Sequence, residues 1–455
     1  MTAIVRIIVG LVAVGIAMSS YAADEAGRLF AGTAKVDITP DETFVVPHGG
    51  CAFRLPDEAE RDKTPPKKVL DPIWARVLVL KNEKTSLAIV SLDLVLFASE
   101  KVVAEAREKW NVDHVILSST HTHSSMVPRG LCPIPRGWEA WENVTEEASL
   151  LLDWPGFSED PWYAATEAKI VAAIGEAMTH LFPATVVAGK QSFESAYMAH
   201  NRRRVNPDGS VTMMWANPDR LPTEPIDPTV GVILVKDDVA KPRAFVVHYA
   251  CHPVMMMNTG RLSPDFPGAM CDYLEKVLPI NCMPMFLQGA AGDLDPYDLG
   301  ARGKQGIALM RQAGVSLGKG ALRVARNLKP RQDQNASLAV REDRVTISYR
   351  NKDKTTEALV ATVVVNDDLA LVTMPGEPFV RLQLHLAEKS PLADTFLLGF
   401  AYCGAGSPWL RYIPDEQSAG EGGFGASTNW YTFIAVDGGE KMVDRGVASI
   451  RAMIE

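Results

Sequence analysis

Two rhythms of apolar and polar positions alternate along the chain. Unbroken apolar runs and period-two alternation, bounded by turn residues, mark strands. "TAKVDITP" reads as one, closed by Pro40, and "ARVLVL" with "SLAIVSLDLVLF" as a hairpin of buried strands. "HVILSS", "ATVVAGKQSF", "VGVILVK", "RAFVVHYA", "PMFLQGA", "SLAVREDRVTISYR", "ALVATVVVNDDLALVTM" and "TFLLGFAYC" read the same way. Helical spacing replaces this rhythm in "ASEKVVAEAREKW", "WYAATEAKIVAAIGEAMTHL", "GAMCDYLEKVL" and a long stretch near 304–328. A polar, Pro-rich loop occupies 127–160, and no repeat, low-complexity linker or domain boundary interrupts the order. The pattern predicts an α/β fold: one large domain with mixed β-sheet flanked by helices.

Several predicted strands run straight into Gly, His, Pro or carboxylate residues. The junctions are "HVILSST-HTH", "FVVHYAC-HP", "MFLQGAA-GDLDP", "LVTM-PGEP" and "FAYCGAG". Polar groups just past the ends of buried strands are where α/β folds assemble active sites. Functional chemistry is therefore expected at these strand ends.

Composition narrows the class. With 47% hydrophobic and 22% charged residues, the chain reads as a well-cored globular protein. A net charge of −9 over 455 residues leaves no electrostatic footprint for nucleic acid, and the basic run "NRRRVNP" is short and isolated. The N-terminus places one Arg before an apolar run from Ile7 to Met18, followed by small residues. That is the pattern of a signal peptide over 1–22, with a mature chain of 23–455 that is secreted or periplasmic. No later segment has the roughly 18 uninterrupted apolar residues that a membrane-spanning helix needs. Six cysteines, at 51, 132, 251, 271, 282 and 403, form no Cys-x-x-Cys pair, which argues against a thiolate zinc site. Cys271 and Cys282 can bridge in an oxidising compartment, but spacing does not fix connectivity.

The candidate chemistry sits at the junctions. Neutral imidazole on a strand end is a rigid nitrogen donor for zinc, which marks His121 and His252. His121 and His123 are read as divided in role, one for metal and one for substrate. His248, inside its apolar run, reads as structural. Glu377, boxed between Gly376 and Pro378, is either a fixed ligand or a turn carboxylate at a helix start. Asp293 and Asp295 of "GDLDP" are either proton acceptors or caps for the helix near 304. Arg202 and Arg203 are either solvated or hold an anionic or carbonyl group through charge-assisted hydrogen bonds. His48 and Asp93 remain open as further members of the site.

Taken in order, "AGTAKVDITP", "ILSSTHTHS", "HNRR", "ACHP", "LQGAAGDLDP", "MPGEPF" and "WLRYIPDEQSAGEGGFGAST" resemble the neutral/alkaline, non-lysosomal ceramidase family. These enzymes are zinc amidases that hydrolyse N-acyl sphingosines. The resemblance implies Zn²⁺ held by His121, His252, Glu377 and Tyr412, with Tyr402 a nearby alternative to Tyr412. It also implies that His123 and Arg202 face the substrate carbonyl. The family carries a catalytic serine in Gly-Asp-x-Ser-Pro, where this chain has Asp295. It also carries a C-terminal immunoglobulin-like domain that this sequence is not expected to contain.

The expected activity is a secreted zinc-dependent hydrolysis of a ceramide-like amide by metal-activated water. Asp295 would take or relay the proton, a role open to a carboxylate but not equivalent to a hydroxyl's. The expected partner is a small-molecule, lipid or glycan substrate. Two other readings stay open: a metal-dependent esterase or lyase acting on an acylated or uronate-containing sugar, and a non-catalytic binding protein. A complete ligand set argues against the last.

Overall fold

The computed structural model describes residues 27–40, 45–48, 52–54, 68–127, 160–192, 198–257, 259–299, 303–328, 336–350, 353–427, 432 and 434–455. The expected signal peptide, Cys51, Cys132, the side chain of His48 and most of the Pro-rich loop lie outside the described residues.

The first half of the chain forms β1 (Phe30–Asp37), β2 (Trp74–Lys81), β3 (Ser86–Leu92), α1 (Glu100–Trp110), β4 (His114–Ser119), α2 (Pro161–Thr179) and β5 (Phe182–Ser192). Next come β6 (Ala199–Asn201), β7 (Thr229–Asp237), β8 (Pro242–Tyr249), α3 (Asp265–Val277), β9 (Met283–Gln288), β10 (Leu294–Pro296) and α4 (Gly303–Arg326). The last third supplies β11 (Leu338–Ser348), β12 (Thr355–Val365), β13 (Leu369–Thr373) and β14 (Glu377–Pro378). It ends with α5 (Val380–Lys389), β15 (Asp394–Leu398), β16 (Ala401–Tyr402), β17 (Tyr412–Ile413) and α6 (Gly438–Ile454).

Local chemistry sets the element ends. Ser99 caps α1 by accepting the Val102 amide, and Asn111 closes it in the left-handed region at φ 51°. Asp160 caps α2, with Pro161 in the first turn, where a missing N–H is harmless. Gly32 on β1 is required by close packing, since a Cβ there would lie 1.9 Å from the Ala177 carbonyl oxygen of α2.

The expected mixed α/β architecture is what forms. Nine strands make one sheet, in the order β9-β8-β7-β5-β1-β2-β3-β4-β16, and β11-β12-β13-β15 make a second. One face of the large sheet is covered by α1 and α2 over one half and by α3 and α4 over the other. Its opposite face packs on the small sheet, whose far side is closed by α5 and α6. Strands buried on both faces read as continuous apolar runs, which is why they stood out in the sequence.

Within these two sheets most neighbouring strands are antiparallel, and three pairs among the described residues are parallel: β3 with β4, β8 with β9, and β13 with β15. Each parallel pair is joined through a helix, α1, α3 and α5 respectively. The large sheet twists until its β9 edge lies against β3 and β4. There the Ser91 hydroxyl donates to the Phe286 carbonyl at 2.6 Å. The Gln288 amide then donates to the carbonyls of Thr120 and Cys251, at 3.0 and 2.9 Å. The carboxyl ends of all three parallel pairs are thereby drawn to one place.

A candidate metal centre at the strand ends

That place collects the candidate residues. β4 stops at Ser119, after which Thr120 and His121 donate their amides to the carbonyls of Leu92 and Leu94 beyond β3. His121 then adopts φ 67°, a left-handed conformation unusual for a non-glycine residue. Both histidines nevertheless face the same site, as residues two apart do along an extended segment, so they are not divided between two places. Their rings meet edge-on with centroids 4.7 Å apart, and Nε2 of His123 lies 3.0 Å from Nε2 of His121. His252 arrives from β8, its ring centroid 4.8 Å from that of His121.

Glu377 completes the group from the small sheet. Its Oε2 lies 3.4 Å from His121 Nε2 and 3.3 Å from His252 Nε2. Phe400, beyond β15 and also left-handed at φ 55°, stacks on His121 with centroids 4.1 Å apart. Its backbone ties the strands together: its amide donates to Gly376 O and its carbonyl accepts from Ser119 N.

The outer nitrogens are fixed. Nδ1 of His121 is 2.6 Å from the Val95 carbonyl, and Nδ1 of His252 is 2.5 Å from that of Ala291. A carbonyl only accepts, so each Nδ1 carries a hydrogen and each Nε2 is the nitrogen turned inward. Gly292 follows Ala291 where a Cβ would come 2.4 Å from the Glu377 carbonyl oxygen, so this approach needs glycine.

Burial holds the imidazoles neutral. It lowers His121 against the opposing pull of Glu377, and it pushes His123 well below the usual histidine range, aided by the other two histidines. Burial alone would raise Glu377, but the adjacent His121 and His252 outweigh it and hold the carboxyl well below its ordinary range. Three imidazoles and one carboxylate, with the ring nitrogens within 4.8 Å of one another, fit a divalent cation taking nitrogen and oxygen ligands.

Tyr412 pairs with Glu377 across a short parallel bridge between β14 and β17. Its phenol hydrogen-bonds Arg202 and is raised above the ordinary tyrosine range by burial and then by the Glu377 charge. Tyr402 lies instead on the edge strand β16, opposite Leu117 and under the influence of Glu100. Arg202 also donates to Gly292 O at 2.7 Å and meets Asp295 Oδ1 at 3.3 Å. The rings of Trp215, Tyr412 and Phe424 each lie 5.3 Å from its guanidinium carbon.

Asp295 stands behind His252. Its Oδ1 is 3.8 Å from Nδ1, the nitrogen turned away from Glu377, and the residue is 1% exposed. Asp293 caps α5 through the Val380 amide and accepts from Asn201, so it serves neither the site nor the helix near 304. Arg203 is engaged by Ser418 O, Gly422 O and Glu421. Asp93 pairs with Arg76 below the strands, and His248 bonds Leu397 O as a structural histidine. Cys271 and Cys282 are free thiols, so the possible bridge does not form. Sequence reading missed Phe400, Trp215 and Phe424. Only the strand-end pattern of "FAYCGAG" signalled the first.

No known protein-family profile and no curated protein sequence matches the chain. Solved structures do match. One, described as a ceramidase complexed with C2, superposes with a TM-score of 0.69 at 16% identity. That match covers 94% of this chain and 75% of the other. The neutral ceramidase from Pseudomonas aeruginosa gives 0.67 at 17% identity, covering 93% and 75%. The fold is ceramidase-like. Within the ceramidase-like fold, no helix among the described residues is long and apolar enough to cross a membrane.

Acidification is expected to destabilise this centre. His121 and His123 stay neutral in the fold, whereas unfolded histidines protonate below about 6.5. The unfolded chain then binds more protons, so stability rises with pH through that window and falls as pH drops below it. Glu377, depressed in the fold, contributes above about 4.3 and loses that contribution at lower pH. Melting temperature of the metal-free protein should decline from pH 7.5 to 5, with a flatter slope in His121→Asn. A melting temperature unchanged across that range would contradict the assignment.

Proposed function

We propose that this chain is an exported, zinc-dependent hydrolase that cleaves the amide bond of a ceramide-like N-acyl compound. The observation that carries the reading is the convergence of His121, His123, His252 and Glu377 at the carboxyl ends of three parallel strand pairs. Zinc bound there supplies Lewis acidity, polarising a carbonyl and bringing a water's pKa down to about 7. His121, His252 and Glu377 hold the ion, with the Tyr412 phenol beside Glu377 as a fourth donor. The carbonyls of Val95 and Ala291 hold Nδ1 of His121 and His252, which aims Nε2 of each ring inward. His123 is the half-buried member of the trio and is assigned the proton transfer. Asp295 was expected to take that proton from the sequence, but it lies behind His252 and is assigned to positioning Arg202 and His252.

Metal analysis combined with a substrate screen tests the reading. The purified protein should retain zinc, lose turnover of a short-chain N-acyl sphingosine on chelation, and recover it with added zinc. Activity indifferent to a chelator, with no metal retained, would overturn it. Turnover of acylated sugars but not of N-acyl amines would replace the amidase reading with the esterase one.

A further inference from the structure

The Arg202 guanidinium has both terminal nitrogens engaged within the protein, and its Nε, which lacks a partner, is buried. Arg202 is 3% exposed, and it is engaged by Asp295 Oδ1 at 3.3 Å, by Gly292 O at 2.7 Å and by the Tyr412 phenol. Arginine recognises carboxylates and phosphates through its free fork of N–H donors, so a fork engaged within the protein has little left for an anion. The charged partner in this set is Asp295, which is buried, and among the described residues its cationic neighbours are Arg202 and, if protonated, His252.

We propose that Asp295 sets the charge class of the substrate. By pairing with Arg202 it removes an anion receptor from the pocket, which accepts uncharged acyl compounds and rejects those with a carboxylate or phosphate near the scissile bond. The aromatic rings of Trp215 and Phe424 beside the guanidinium suit an uncharged, partly apolar substrate. A uronate-containing substrate is disfavoured by the same pairing. The inference rests on the hydrolase reading only for calling the ligand a substrate.

The test is anion binding to the full-length chain as purified, using acetate and inorganic phosphate, by calorimetry and by the fluorescence of Trp215 with a Trp215→Phe reference. Wild type should bind both weakly, and Asp295→Ser at least ten-fold more tightly. Arg202→Gln added to Asp295→Ser should abolish that gain, which separates anion held by Arg202 from anion held by metal. Equal binding by wild type and Asp295→Ser would overturn the inference, as would a gain that survives loss of Arg202. Asp295→Asn keeps the side-chain shape and gives the same comparison if the serine variant does not fold. Wild-type binding that is already tight and is lost in Arg202→Gln alone would also overturn it. Because no turnover is measured, an inert protein showing the anion shift would sink the hydrolase reading alone. An active hydrolase without the shift would sink this inference alone.

Discussion

His252→Ala is expected to strip the metal from the site and to lower turnover by far more than about 10²-fold. Loss of outer partners alone costs metal sites about 10–100-fold in affinity or activity, so an inner donor sets a larger loss. His252 contributes the Nε2 that lies 3.3 Å from Glu377, and the Ala291 carbonyl holds its ring at 2.5 Å from Nδ1. The truncation also removes one of two imidazoles that keep Glu377 ionised, so burial then pushes that carboxyl upward and weakens a second ligand. His248→Ala provides the control. That histidine is equally buried, but it bonds Leu397 O at 2.7 Å away from the cluster, so its loss should affect stability and leave metal content intact. Equilibrium zinc titration of both variants decides the matter. Wild-type zinc affinity in His252→Ala would remove His252 from the metal centre.

Much of this was legible before any coordinates. The strands were readable because most are buried on both faces, and the chemically active residues because they sit where those strands stop. Convergence was not readable. Three separate strand–helix–strand units deliver His121, His252 and Glu377, and only the twist that brings β9 against β3 and β4 makes them neighbours. The shared placement of His121 and His123 was missed, although residues two apart lie on one face of an extended segment. Helix α5 was legible only as one possible reading, a helix start after Glu377. Phe379 offers no side-chain cap, and the capping carboxylate, Asp293, comes from a segment 87 residues earlier. The roles of Arg202 and Asp295 followed the family resemblance in sequence, while their contacts depend on a distant backbone carbonyl and phenol.

The other large effect belongs to the buried ion pair beneath the site. Asp93→Ala is expected to destabilise the fold by about 3–5 kcal/mol, the usual cost of orphaning a buried charge. Arg76 and Asp93 meet at 2.8 Å with side chains only 2% exposed, and the same carboxylate accepts the Trp74 amide at 3.0 Å. Burial raises the Asp93 carboxyl above its ordinary range even with Arg76 beside it, so desolvation outweighs the attraction. The pair is therefore poor evidence of net stability, and breaking one half of it is still severe. Arg76 would keep its charge in an apolar layer, with Nε already lacking a partner. The double variant Arg76→Met/Asp93→Leu should regain much of the loss, because it removes both charges while filling the space. It should fall short of wild type by about 1–3 kcal/mol, the cost of leaving the Trp74 N–H unpaired. Denaturant unfolding of the three proteins measures this, with zinc content unchanged in any that fold. A double variant as unstable as Asp93→Ala would show that shape, not uncompensated charge, governs this part of the core.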